Sequence, residues 1–198
     1  SYMNLFHWFI AGWGTYAYAK HMKLGAMASF VAAVIFTFGS AYGGAFYNMT
    51  SLKAICWFPV ALYFLERYLA QGQRRFLAGM AVVIGQSFVS GYLQIAALTW
   101  MMFGVYAMLR VFLFPKAPLS GARRVAIFGA LIAAAATALF LALPQIYLTF
   151  QLAMMSNRTG LEEGYAYLGS LSPLVLGTLL NPHWLMLSSG CSFYAGYL

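Results

Sequence analysis

The amino-acid sequence predicts an all-α polytopic membrane protein, and its composition points to that class in three ways. Of the 198 residues, 63% are hydrophobic and only 7% are charged, and the mean hydropathy is +0.78. Soluble domains contain about 45–50% apolar and about 25% charged residues. The chain has no Asp, and three acidic residues face eleven Lys and Arg, for a formal net charge of +8. This composition excludes a soluble enzyme, a disordered tail and a disulfide scaffold.

About six apolar segments are candidates for transmembrane helices, each of which needs about 20 mostly apolar residues. The apolar run from Phe76 to Leu109 is too long for one span, so we divide it at the polar turn Ser90–Gln94. Pro59 lies inside the third span, where its missing backbone N–H predicts a kink. The sixth span is expected to end at Pro144. The six ranges are roughly 4–19, 25–40, 53–69, two spans within 76–109, and 125–143.

The basic residues predict the orientation of these spans. If the six spans alternate in direction, nine of the eleven cations fall on one side, and only Lys53 and Arg158 fall on the other. The positive-inside rule makes the nine-residue side cytoplasmic. The positive charge therefore reflects topology, with the lipid bilayer as the partner and no nucleic acid implied. The nine cations are Lys20, Lys23, Arg67, Arg74, Arg75, Arg110, Lys116, Arg123 and Arg124.

Three parts follow from this arrangement. Residues 1–143 would form the six-helix transmembrane bundle, 144–190 an extracytoplasmic loop with short helices, and 191–198 the start of a seventh span. One helix over 125–155 would be about 46 Å long, which exceeds the ~30 Å hydrocarbon core, so the segment past Pro144 is expected to project from the outer surface or lie along it. Because the chain starts without Met and stops in an apolar stretch, we expect a longer polypeptide, whose remainder is a further partner.

Unusual polar residues concentrate on the predicted extracytoplasmic side. Glu162 and Glu163 follow the helix-ending Gly160, where they either favour the start of a new helix or belong to a site. Arg158 either anchors the chain to headgroups or a helix end, or binds a ligand phosphate. A loop on a rigid scaffold is a common place for a functional site.

Further candidates lie near the ends of the spans. Tyr92 and Gln94, in the turn between the fourth and fifth spans, either satisfy neighbouring helices or line a polar cavity. Lys53 opens the third span, where a lysine commonly extends to the membrane interface. Cys56 lies in an apolar run, which predicts a buried, inert thiol. No metal site is predicted, because the three histidines, His7, His21 and His183, have no nearby Cys or acid pair.

Several of these segments, in this order, resemble the conserved block of bacterial YfhO-like membrane proteins. The turn Gly91-Tyr92-Leu93-Gln94 stands where that family tends to have Gly-His-Pro-Gln. The similarity extends over nearly the whole chain. Its other segments are Leu5–Gly12 with Tyr16, Lys20 and Leu24-Gly25, Trp57–Leu62 with Leu65-Glu66-Arg67, Leu143–Gln145, Ser156–Arg158, Ser170–Pro173 and Asn181-Pro182.

The YfhO-like family resembles the GT-C glycosyltransferases, which transfer a sugar from a polyprenyl-phosphate donor to an extracytoplasmic acceptor. The resemblance implies an enzyme of the bacterial cytoplasmic membrane acting on a cell-envelope polymer, lipid or protein, with no cofactor evident. Such chemistry needs an acid or base near the acceptor and cationic groups at the leaving phosphate. The resemblance implies that a GT-C enzyme carries its catalytic acid in its first extracytoplasmic loop, which we expect to precede this chain. Glu162 and Glu163 are then the candidates here for binding or polarising the acceptor hydroxyl in catalysis, and Arg158 and Lys53 are the candidates for binding the lipid phosphate. Sugar contacts are implied for Tyr92, Gln94, Tyr47, Tyr165 and His183.

Two other classes remain open. A transporter or flippase for a lipid-linked or small amphipathic substrate would use the same polar outer surface without chemistry. Such proteins often place ionisable groups near the bilayer midplane, whereas the charges here collect at the ends of the spans. A non-catalytic assembly subunit would pack only against partner helices and would have little use for a polar outer loop.

Overall fold

The computed structural model describes residues 2–39, 49–115 and 120–155, and every regular element in these ranges is a helix. The prediction of an all-α chain is therefore confirmed for the part described. The helices, in chain order, are α1 (Tyr2–His21), α2 (Ala26–Phe38), α3 (Met49–Ile55), α4 (Phe58–Gln71), α5 (Arg74–Val89), α6 (Leu93–Met108), a π-helical turn (Leu109–Leu113) that continues α6, and α7 (Gly121–Met154).

Two helical segments in the described ranges are long and apolar enough to cross a membrane. They are Leu93–Leu113, with 21 residues, and Gly121–Met154, with 34 residues. Both expose large apolar side chains, among them Met101 at 60% and Phe140 at 71%. The shorter α2 is apolar too, but its 13 residues span only about 20 Å. These segments give a weak indication that the protein is associated with a membrane.

Short turns reverse the chain after α1, after α4 and after α5. The turns that follow α1, α4 and α5 contain a residue with positive φ: Lys23 at 67°, Gly72 at 68° and Gly91 at 85°. Glycine adopts this left-handed conformation without a Cβ clash, whereas Lys23 is a less common occupant. The reversals bring the end of α1 to the same end of the bundle as the α4–α5 turn, and the α5–α6 turn to the opposite end.

The two ends of the bundle differ in charge. Every described cation except Lys53 lies at one end, which we call the basic end. The opposite end contains the start of α1, the end of α2, α3 and the α5–α6 turn, and we call it the Gly91 end. The cations of the basic end are Lys20, Lys23, Arg67, Arg74, Arg75, Arg110, Arg123 and Arg124.

The predicted third span, 53–69, is broken in the structure. Helix α3 ends at Ile55, Cys56 and Trp57 form a turn, and α4 begins at Phe58. Pro59 stands in the first turn of α4, where its missing N–H costs little because first-turn amides have no intrahelical acceptor. The kink expected at Pro59 is thus replaced by a complete break just before it.

The helix of the predicted sixth span does not stop at Pro144 in the structure. Helix α7 passes through Pro144 and continues to Met154, so residues 145–154 are helical. The helix gives up the one hydrogen bond that the proline nitrogen cannot donate and resumes its ladder beyond that point. Its 34 residues measure about 51 Å, which is longer than the ~30 Å hydrocarbon core.

Close packing joins these helices into a core within the first of two compact units, Ser1–Leu152 and Ala153–Leu198. Helices α1 and α4 approach so tightly that a Cβ on Gly14 would lie 2.5 Å from Cγ2 of Val60. A second cluster of Ala11, Leu52 and Cys56 packs α3 against α1, and all three residues are fully buried. The burial predicted for the Cys56 thiol is confirmed.

Candidate functional site

The most deeply buried charge in the described chain is the carboxylate of Glu66, near the end of α4. Glu66 is 1% exposed, and it is the only acidic residue in the described ranges. Its Oε1 atom accepts a hydrogen bond from Nε of Arg110 at 2.6 Å, and its Oε2 atom accepts one from Nη2 at 3.0 Å. The Arg110 side chain is 11% exposed. This bidentate geometry neutralises both charges inside an apolar core.

The π-helical turn after α6 positions Arg110. The Phe114 N–H donates to the Leu109 carbonyl at 2.8 Å, which closes the wider turn. Nη1 of Arg110 donates to the Phe114 carbonyl, so one guanidinium contacts both the carboxylate and the end of its own turn. Single π-helical turns occur frequently at functional sites, because they rotate one side chain relative to the regular helix.

Two tyrosines extend this network to a third helix. The Tyr106 hydroxyl donates to Oε1 of Glu66 at 2.8 Å. The hydroxyls of Tyr18 and Tyr106 are also 2.8 Å apart. Because the Tyr106 hydrogen is directed to the carboxylate, Tyr18 is the donor in this second bond. The network therefore connects α1, α4 and α6 near the basic end.

This arrangement is suited to holding helices together. The Glu66 carboxylate accepts three hydrogen bonds and lies against a guanidinium, so it is a poor general base. Satisfied polar networks in a low-dielectric interior are rigid and specific. Loss of either charged partner leaves an uncompensated buried charge, which costs about 3–5 kcal/mol.

A second group of polar residues lies at the Gly91 end, around α3. This short helix packs against α1, α5 and α6. The buried Ser87 hydroxyl of α5 donates to the Ala54 carbonyl at 2.6 Å, and the Cys56 thiol donates to the Lys53 carbonyl at 3.4 Å. These contacts hold the partly buried Lys53 on a short helix that contacts α6.

The α5–α6 turn meets α7 at the same end. A Cβ on Gly91 would lie 3.8 Å from Nε2 of Gln145, so the Gln145 amide packs against this turn. The same Nε2 donates to the Thr149 hydroxyl at 3.2 Å. Tyr92 immediately precedes α6, and the exposed Gln94 lies in its first turn. The Gly91 end thus carries polar side chains from three parts of the chain that are distant in sequence, namely α3, the α5–α6 turn region and α7.

Three of the nine predicted site residues lie in the described ranges. They are Lys53, Tyr92 and Gln94, and all three are at the Gly91 end. The predicted loop beyond 155 and the predicted span 191–198 lie outside the described residues, so the roles assigned there stay predictions. The other six predicted site residues, which also lie outside, are Tyr47, Arg158, Glu162, Glu163, Tyr165 and His183.

The histidines of the described chain pack against aromatic rings. His7 contacts Trp57 edge-on, with ring centroids 6.2 Å apart, and His21 contacts Tyr63 in the same way at 6.0 Å. Across the ranges that the structure describes, no three His, Cys, Asp or Glu side chains form a group that could hold a metal ion.

The pairing of Glu66 with Arg110 is not among the features predicted from the sequence, although both residues were assigned to the cytoplasmic ends of their spans. One signal was available: Glu66 is the only acid in an otherwise apolar span, and an acid there needs a partner. The choice of Arg110 among the nine cations on that side depends on which helices are neighbours. That information is not contained in the local sequence.

Comparison with known proteins does not identify a family for this chain. No family model matches the sequence, and neither a curated protein nor a solved structure matches it. The class that the fold itself defines is therefore broad. In its described part, the chain is an all-α protein with two helices capable of crossing a membrane.

Proposed function

We propose that the chain is part of a GT-C-type membrane glycosyltransferase, which transfers a sugar from a polyprenyl-phosphate donor to an extracytoplasmic acceptor. One observation carries the proposal: the Gly91 turn and Gln145 lie side by side at the end of the bundle that also carries Lys53. The turn and the Leu143–Gln145 segment are two of the segments that resemble YfhO-like proteins. A site built from both segments requires that they lie together.

The proposal includes six spans in the bacterial cytoplasmic membrane, with the basic end in the cytoplasm. Segregated charge supports this orientation, because every described cation except Lys53 lies at one end. The alternating directions of the helices support it as well. The Gly91 end then faces outward, together with the proposed loop over 156–190.

In the proposed reaction, an acceptor hydroxyl attacks the anomeric carbon, and the bond from that carbon to the phosphate oxygen breaks. Polyprenyl phosphate leaves with the bonding electrons, and the acceptor proton passes to a carboxylate. Lys53 and Arg158 stabilise the charge that develops on the leaving phosphate. Glu162 or Glu163 takes the proton. The residues proposed to contact the sugar are Tyr92, Gln94, Tyr47, Tyr165 and His183.

A transfer assay tests this proposal. Membranes containing full-length protein are supplied with a polyprenyl-phosphate sugar that is radiolabelled in the sugar. Lys53→Ala should lower the rate about 100-fold, by analogy with the loss of one charge-stabilising donor. Lys23→Ala is the matched control, because Lys23 lies at the basic end and should leave the rate unchanged. Equal rates for the two variants would show that Lys53 is not part of the site. Normal transfer by the Glu162→Gln/Glu163→Gln variant would show that neither glutamate has the proposed catalytic role.

A transporter or flippase is the second candidate, and the Glu66–Arg110 pair is the observation in its favour. Arg110 lies in the last turn of the candidate span Leu93–Leu113, at the basic end, and buried ionisable pairs within spans mark transport pathways in many membrane proteins. Proteoliposomes distinguish the two functions. Translocation of a lipid-linked sugar with its sugar–phosphate bond intact, abolished by Glu66→Gln in a folded protein, would support transport. Cleavage of that bond would support the transferase.

A further inference from the structure

A cavity of about 520 Å³ separates α5 from α7 at the basic end. The wall residues on each helix share one face, since they repeat at intervals of three and four residues. Most of them are small, so the two helices do not fill the space between them. We call this cavity the α5–α7 groove, and the residues that define it are Arg74, Ala78 and Ala81 of α5 with Ala130, Ala133 and Ala134 of α7.

The α5–α7 groove has one polar end and an apolar length. Arg74 and Tyr68 line it at the basic end, where α4 ends and α5 begins. From Arg74 to Ala81 the groove follows α5 for about 10 Å, at ~1.5 Å per residue. Alanine side chains dominate its walls along this length. An occupant that matches this lining has an anionic head and an apolar chain.

The charge balance of the basic end also favours an anionic occupant. In the ranges described, Glu66 is the only acid, and Arg110 neutralises it. The described residues therefore supply no further carboxylate for the seven remaining cations of this end, namely Lys20, Lys23, Arg67, Arg74, Arg75, Arg123 and Arg124.

We propose that the α5–α7 groove binds one anionic phospholipid from the cytoplasmic leaflet. Its phosphate contacts the Arg74 guanidinium and the Tyr68 hydroxyl, and one acyl chain lies along the alanine walls. Basic pockets between transmembrane helices on the cytoplasmic side bind anionic headgroups in this way. The inference rests on the proposed orientation of the bundle and is independent of the glycosyltransferase reaction.

Native mass spectrometry of the purified full-length protein tests this site, with phosphatidylglycerol and phosphatidylcholine as probes. The protein should bind one phosphatidylglycerol saturably, with at least a tenfold preference over phosphatidylcholine. Arg74→Gln should remove that preference, whereas Arg123→Gln should keep it, because Arg123 is an exposed cation of the same end outside the groove. Glycerol 1-phosphate, which has the phosphate but no acyl chain, should not compete.

The alanine walls provide a second, independent test. Ala133→Leu or Ala78→Leu should fill the groove and lower phosphatidylglycerol binding about tenfold, whereas Ala136→Leu, at an exposed position of α7 outside the groove, should not. Equal binding by Arg74→Gln and Arg123→Gln would overturn the proposal, since the cations would then act only through their summed charge. Unchanged lipid binding by both alanine variants, with an altered oligomeric state, would assign the groove to a helix of a second copy and overturn it too.

Discussion

Glu66 of α4 and Arg110 of the π-helical turn form a bidentate ion pair, with Nε 2.6 Å from Oε1 and Nη2 3.0 Å from Oε2. Glu66 and Arg110 come from helices that are not consecutive in the chain, and Tyr106 and Tyr18 connect the pair to a third helix, α1. The packing of α1, α4 and α6 therefore depends on the few polar atoms of this network.

Neutralisation of either partner of the Glu66–Arg110 pair should destabilise the protein. Arg110→Gln leaves a buried carboxylate without its counter-charge, and Glu66→Gln leaves the guanidinium without one, which costs about 3–5 kcal/mol in each case. The double variant Glu66→Gln/Arg110→Gln should lose less than the sum of its single changes, because the two residues act as a unit. Thermal unfolding in detergent micelles measures these effects, with Arg123→Ala as the exposed control. Additive losses would show that the pair is not coupled.

Loss of the Tyr106 hydroxyl should cost more than loss of the Tyr18 hydroxyl. Tyr106→Phe removes the bond to the Glu66 carboxylate and the acceptor of Tyr18, for about 1.5–3 kcal/mol, since bonds to charged groups are the stronger ones. Tyr18→Phe removes only the neutral bond, for about 0.5–1.5 kcal/mol. The same unfolding measurement ranks the two variants. The reverse order would indicate that the Tyr106 hydroxyl donates its hydrogen bond to Tyr18 and not to Glu66.

A methyl group at Gly14 should force α1 away from α4. The added Cβ would lie 2.5 Å from Cγ2 of Val60 and 3.1 Å from the Val60 backbone nitrogen, which cannot move without the helix. Gly14→Ala should therefore destabilise the fold by about 1–3 kcal/mol. Gly129→Ala is the control, because a Cβ there meets nothing within 4 Å and the helix gains propensity. Comparable unfolding midpoints for the two variants would contradict the close approach.

Residues 145–154 should be protected from hydrogen exchange as part of α7. The helix continues through Pro144, so the amides beyond its first turn past the proline are hydrogen-bonded. Pro144→Ala should keep this protection and add one bonded amide at position 144. Exchange measured in detergent or nanodiscs, with peptide-level resolution, checks both statements. Rapid exchange throughout 145–154 in the wild-type protein would show that the helix ends at Pro144, as the sequence predicts.

Cysteine labelling should place the two ends of the bundle on opposite sides of the membrane. In a Cys56→Ala/Cys191→Ser background, Ser90→Cys should react with a membrane-impermeant maleimide added to intact cells, because the Gly91 end is proposed to face outward. Gln73→Cys, in the α4–α5 turn at the basic end, should react only after the membrane is permeabilised. Labelling of both cysteines from outside would contradict six alternating spans.

Much of the local structure follows from the sequence alone. The apolar composition indicates a membrane protein, and the predicted ranges of the first, second, fourth and fifth spans correspond to α1, α2, α5 and α6. The division at Ser90–Gln94 corresponds to the α5–α6 turn. These features depend on neighbouring residues, since apolar runs, Gly turns and clustered cations act over one or two helical turns.

Only the tertiary structure decides which distant residues meet. The sequence marks Glu66 as an acid that needs a partner, but the packing of α4 against α6 selects Arg110. The same holds for the proximity of Gly91 and Gln145 and for the α5–α7 groove. Proline rules alone do not predict the break at Cys56-Trp57 or the continuation of α7 through Pro144, because packing on neighbouring helices offsets the loss of one backbone hydrogen bond.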